Sequence, residues 1–78
     1  MEIEQAFGEV LRKIRLEKSL SQEELAHLCE LDRTYISLME RGKRKPTINT
    51  IFALARGIGE SPSDLIIATE KLLNLKIN

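Results

Sequence analysis

Arg33 and Thr34, with Lys43, Arg44 and Lys45 a short distance on, are the side chains of this chain best suited to recognising a charged polymer. An arginine fork matches O6 and N7 of guanine, and a threonine contacts a thymine methyl or a polar base edge. Three cations in a row suit phosphate, which positions a protein on DNA without reading sequence. Arginine in the first turn of a helix opposes the helix dipole, so its presence there points to a functional reason. Ser37 and Leu38 follow one turn later. Ser37 adds a base contact, and Leu38 either meets a thymine methyl or is a plain surface leucine. Arg44 is the candidate for a backbone or minor-groove contact, flanked by Lys43 and Lys45. Gln22, where a helix is expected to begin, brings backbone N–H groups and a side-chain amide to phosphate. Tyr35 either offers its hydroxyl to DNA or packs along the helix flank. Thr47 and Asn49 add phosphate contacts or serve only as cap and surface residue.

These residues need rigid elements to aim them, and the apolar spacing supplies five helices. The first runs from Ile3 to about Lys18, with Phe7, Val10, Leu11 and Ile14 at helical intervals and Glu9–Lys13 as a supporting pair. Ser19 ends it, and Leu20 tucks under the next helix. Ser21 and Glu24 form a capping box for a second helix from Gln22 to about Cys29. Asp32 caps a third, Arg33 to about Arg41, stopped by a left-handed Gly42. Thr47 caps a fourth, Ile48 to about Gly57, whose apolar stripe is Ile51, Leu54, Ala55 and Ile58. Ser61-Pro62 opens a fifth that continues to about Leu73. The expected core comprises Phe7, Val10, Ile14, Leu25, Ala26, Cys29, Leu31, Ile36, Met39, Ile51, Leu54 and Ile58.

Counted from Gln22, Leu25 and Ala26 take the fourth and fifth positions of a helix-turn-helix, with Cys29, Leu31, Ile36 and Met39 at the eighth, tenth, fifteenth and eighteenth. Every apolar position is filled, and the small Ala26 admits the second helix of the motif. The strings SQEELA, YIS and ERG, followed by a basic loop, resemble the Cro/CI-like (XRE) helix-turn-helix family over nearly the whole chain. Within it, LDRTYISLMERGKRK is similar to the controller proteins of bacterial restriction–modification systems. The resemblance implies an all-α, five-helix, lambda-repressor-like domain and a small dimeric regulator of its own operon. It also implies a buried ion pair, Arg15 with Glu40, holding the recognition helix, and a Gln22 that steadies that helix. The family places glycine at the ninth motif position, where this chain has Glu30. A positive φ is therefore expected at Glu30, at a cost of roughly 1 kcal/mol.

The 78 residues fit one domain, 1–78, and carry no net charge. The charge is unevenly spread. Residues 1–32 hold four Lys/Arg and eight Asp/Glu, whereas residues 33–56 hold six and one. A positive face against DNA and an acidic back follow. Three aromatics are too few for single-strand stacking. One cysteine excludes an intramolecular disulfide. His27 and Cys29, two apart on a helix, do not face each other, so no metal is expected. No cofactor, catalytic constellation, membrane segment or small-molecule effector is expected, and the location is cytoplasmic.

The partners are double-stranded DNA and a second copy of the chain. Helix five and the tail, about 62–78, hold more apolar side chains than one small domain buries. Leu65 faces inward, and Ile66, Ile67, Leu72 and Leu73 supply a dimer interface. The function implied is a homodimeric transcriptional regulator on a palindromic operator. The alternative of another class is an antitoxin-type repressor that also binds a partner protein. For that role the short stretch from Leu72 to Asn78 is a small surface.

Overall fold

A computed structural model describes residues 1–74, which form five helices and no strand. They are α1 (Ile3–Glu17), α2 (Gln22–Cys29), α3 (Arg33–Glu40), α4 (Ile48–Ile58) and α5 (Pro62–Leu73). The N-caps of α2 to α5 are those read from the sequence, whereas the capping box of Glu2 and Gln5 that opens α1 was not foreseen. Ser21, Asp32, Thr47 and Ser61 each accept a backbone N–H from the first turn of α2 to α5. Each satisfies a donor that has no partner within its helix.

The helix ends share one device. The chain passes through a left-handed residue at Ser19, Glu30, Gly42 and Gly59 after α1 to α4 respectively. The residue after each returns its N–H to the last turn: Leu20 to Arg15, Leu31 to Ala26, Lys43 to Leu38 and Glu60 to Ala55. This is the Schellman closure. It explains small shifts from the expected ends. Helix α1 stops at Glu17, α3 at Glu40, and α4 runs one residue further, to Ile58, because Gly59 rather than Gly57 makes the turn. Glu30 has φ +56, as its place in the corner demanded. Ser19, at φ +58, adopts the same strained conformation, which the sequence did not signal.

Helix α1 packs on α3 and α5, α2 on α3 and α4, and α4 on α5. The core gathers Phe7, Leu11, Leu25, Ala26, Cys29, Ile36, Met39, Leu54, Ala55, Ile58 and Leu65. Three residues expected inside are only partly buried against it: Ile14, Leu31 and Ile51. Ile14 borders an open groove between α1 and α5, beside Val10, Ala68 and Leu72. Ile51 borders a second, with Ile3, Phe7, Pro46 and Ile66. Leu31 lies in the α2–α3 corner, at the margin of the core. The contact of α1 with α3 depends on Gly8. A Cβ there would lie 2.2 Å from the Met39 carbonyl oxygen and 2.8 Å from that of Glu40, so only glycine allows this approach.

No helix of the described residues is long and apolar enough to cross a membrane. Residues 75–78, the end of the segment 62–78 expected to contribute to dimerisation, lie outside the described residues.

Candidate nucleic-acid interface

Helix α3 has two faces. Ile36, Met39 and Glu40 point inward, and Arg33 and Thr34 open the exposed side. The inward face is fixed by charge as well as by packing. Arg15 Nε donates to Glu40 Oε2 at 2.6 Å and Arg15 Nη2 donates to Glu40 Oε1 at 2.9 Å. Arg15 Nη1 donates to the Leu20 carbonyl at 2.8 Å, and Gln22 Nε2 to Glu40 Oε1 at 3.2 Å. Arg15 and Glu40 are each 8% exposed, so this bidentate pair is shielded from water and from salt. Hydrogen bonding to Glu40 holds the Arg15 guanidinium above its ordinary pKa, against the opposing pull of burial. Three elements thus meet at one carboxylate: α1 through Arg15, α2 through Gln22, and α3 through Glu40 itself. These contacts, with the packing of Ile36 and Met39, tie α3 to α1 and α2.

Asp32 starts α3 by accepting the Thr34 N–H at 2.8 Å. Arg33 and Thr34 are both exposed. The Arg33 guanidinium has no hydrogen bond or ion pair among the described residues. Ser37 and Leu38, expected on the open face, are half-buried. The turn through Gly42 brings the Lys43 N–H back to the Leu38 carbonyl, and Arg41 Nε lies 3.4 Å from that of Ser37. The last turn of α3 is therefore partly covered, and its first turn is the more open end.

The basic loop returns to that open end. The Arg44 guanidinium carbon lies 5.1 Å from the centre of the Tyr35 ring, a cation–π distance. Lys43, Arg44 and Lys45 are all exposed, and none forms an ion pair among the described residues. Tyr35 is half-buried, and its hydroxyl lies 3.1 Å from Thr50 Oγ1. The ring packs against the core, the second of the two roles foreseen for it. Thr47 is engaged as the cap of α4, accepting the Thr50 N–H at 3.1 Å. Asn49 is exposed in the first turn of α4. Gln22 is half-buried, with part of its amide committed to Glu40.

Two features escaped the sequence reading. Thr50, buried on α4, bonds both Tyr35 and Thr47. Its position three residues after the Thr47 cap was the available signal. Ile48 and Phe52, 72% and 57% exposed, form an apolar pair one turn apart outside the expected stripe of α4. On α5, Leu65 is buried while Ile66, Ile67 and Leu72 are exposed, as expected. Leu73 is half-buried, so less of it is open to a partner.

His27 is exposed, whereas Cys29 is buried with its thiol 3.8 Å from the Leu54 carbonyl. Burial pushes the Cys29 thiol up in pKa, partly offset by Arg56. Among the described residues no three His, Cys, Asp or Glu side chains gather to hold a metal ion.

Residues 11–65 match the helix-turn-helix family. Control protein C.BamHI of Bacillus amyloliquefaciens is 48% identical over 61 residues, spanning 77% of this chain and 75% of that protein. Control protein C.MunI of a Mycoplasma species is 42% identical over 66 residues, spanning 83% and 89%. The crystal structure of the restriction–modification controller protein C.AhdI from Aeromonas hydrophila superposes with a TM-score of 0.77 at 42% identity, covering 80% of this chain and 94% of that one. With its five helices, a clamped third helix and a basic loop against that helix's open end, the chain belongs to the Cro/CI-like helix-turn-helix family of DNA-binding transcriptional regulators and is similar to restriction–modification controller proteins.

Proposed function

We propose that this protein is the controller of a restriction–modification operon, binding a palindromic operator as a homodimer. The observation that carries the reading is an exposed Arg33 at the start of α3, unpartnered among the described residues, together with Arg44 of the basic loop lying over the ring of Tyr35 in the same turn. Arg33 and Thr34 read base edges in the major groove, and Ser37 and Leu38 add contacts through the part of each side chain that stays exposed. Gln22, Tyr35, Lys43, Arg44, Lys45, Thr47 and Asn49 hold the phosphate backbone. The likeness to C.BamHI, C.MunI and C.AhdI supports the controller role.

Ile66, Ile67, Leu72 and the open part of Leu73 form the dimer face. A twofold pairing there sets two recognition helices about 34 Å apart, one DNA turn. Control works through protein concentration, with no small-molecule effector, no catalysis and a cytoplasmic location. Two measurements test the reading. Selection from a randomised duplex pool should return a site with twofold symmetry. Sedimentation should give a dimer for the wild type and a monomer for Ile67→Asp. An asymmetric selected site, or a wild type still monomeric at high micromolar concentration, would remove the homodimeric operator reader.

A further inference from the structure

Thr50 has no part in the DNA contacts proposed above, yet it sits behind two of the residues that make them. It is 7% exposed, on a helix face otherwise lined by Leu54, Ala55 and Ile58. A buried hydroxyl is costly unless its hydrogen bonds are made. Thr50 Oγ1 lies 3.1 Å from the Tyr35 hydroxyl and 2.9 Å from Thr47 Oγ1. Thr47 Oγ1 also accepts the Thr50 N–H, at 3.1 Å.

Proton counting constrains this chain of three hydroxyls. With both contacts made and the buried Thr50 proton used, two arrangements remain. Either Thr47 donates to Thr50 and Thr50 to Tyr35, which leaves the Tyr35 proton free, or Tyr35 donates to Thr50 and Thr50 to Thr47, which leaves the Thr47 proton free. In both, the Tyr35 ring is pinned at its hydroxyl end, and the Arg44 guanidinium lies over the ring face.

We propose that Thr50 is a positioning residue for DNA binding: it anchors the Tyr35 ring, and the ring holds Arg44 beside the first turn of α3. A long side chain on a loop loses much freedom on meeting phosphate, and a preset position reduces that loss. The contribution of Arg44 to affinity therefore depends on the Thr50 hydroxyl. This rests on the reading of Arg44 as a backbone contact.

The test is a double-mutant cycle on a duplex recovered by selection from a randomised pool. Thr50→Val keeps the shape and removes the hydroxyl, and Thr50→Ser keeps the hydroxyl. Thr50→Val should weaken binding about two- to tenfold, as for loss of a typical hydrogen bond. Thr50→Ser should bind like the wild type, and in an Arg44→Ala background the loss from Thr50→Val should shrink to what the contacts of Tyr35 and Thr47 themselves carry. A second readout needs no DNA. Tyr35 is the only tyrosine and there is no tryptophan, so intrinsic fluorescence reports this ring alone. Its anisotropy should fall in Thr50→Val and not in Thr50→Ser. If Thr50→Val fails to fold, Thr50→Ala removes the same hydroxyl without the valine methyl and enters the same cycle, with Thr50→Ser as its control.

Equal losses from Thr50→Val with and without Arg44, wild-type affinity in Thr50→Val, or unchanged anisotropy would each overturn the inference. A wild type that binds no duplex is a separate outcome, which would sink the proposed function and the DNA half of this inference with it.

Discussion

The two ends of α3 carry charge under opposite rules. Glu40, at the inner end, is buried and shared between Arg15 and Gln22. Arg33, at the outer end, is exposed and unpartnered among the described residues. A buried ion pair adds little net stability over an apolar pair, yet breaking it is expensive because the survivor stays buried and charged. An exposed arginine near a helix N-terminus adds nothing to stability and opposes the dipole. The inner charge is therefore suited to orientation, and the outer one is free for the base reading proposed above.

The largest expected effect is at the inner end. Glu40→Ala should cost roughly 3–5 kcal/mol in denaturant unfolding, since it strands the Arg15 guanidinium. The sharper form replaces both partners, Arg15→Met with Glu40→Leu. Stability should largely return while base discrimination does not, because α3 has lost its reference point. A double variant that discriminates as well as the wild type would show that apolar packing alone orients the helix.

Gly8→Ala attacks the same region through shape. Its Cβ would overlap the Met39 carbonyl, and the strain should cost about 1–3 kcal/mol by thermal or chemical unfolding. An unchanged midpoint would mean that α1 and α3 slide apart at little cost.

Arg33→Ala breaks the comparison from the other end. Unfolding should be unchanged or slightly improved, while discrimination at one base position falls by roughly 1–3 kcal/mol. Arg44→Ala is the contrast. It should weaken binding to all sequences and flatten the salt dependence. Equal loss of specific and non-specific affinity in Arg33→Ala would move Arg33 from base reading to phosphate.

The smallest effect is a pH dependence at the start of α2. Hydrogen bonds from Ser21, the backbone N–H first and the hydroxyl second, lower the Glu24 pKa from its ordinary value. A carboxylate with a depressed folded pKa contributes stability that is present above its unfolded pKa and lost as pH falls through the folded one. The stability advantage of the wild type over Glu24→Gln should therefore be full at neutral pH and shrink in acid, below the ordinary glutamate value. An advantage that does not change with pH would mean that the capping contact carries no charge contribution.

Much of this molecule is local, and what is local was legible. Ser21, Asp32, Thr47 and Ser61 cap helices because a short polar side chain reaches the next free N–H in any context. Glu30 is left-handed because the two helices of the motif leave it no other conformation, and Gly42 because it has no Cβ to oppose one. The Arg15–Glu40 pair was legible through the family resemblance, which carried tertiary information into the reading. Ser19 shows the limit of local signals. Its left-handed turn follows from where α2 must pack, and serine has no preference that announces it.

What the tertiary structure alone decided are the meetings of distant segments. Gly8 looks like a flaw in a helix until the backbone of α3 is laid against it. Thr50 looks like a misplaced polar residue until Tyr35 and Thr47 close on it. Ile14 and Ile51 fit the core pattern, yet they lie along grooves, because periodicity gives the face of a helix and not how far its neighbour reaches across it. Sequence spacing determines which side of each helix is apolar, capped or charged. The packing distance between helices determines which of those side chains touch.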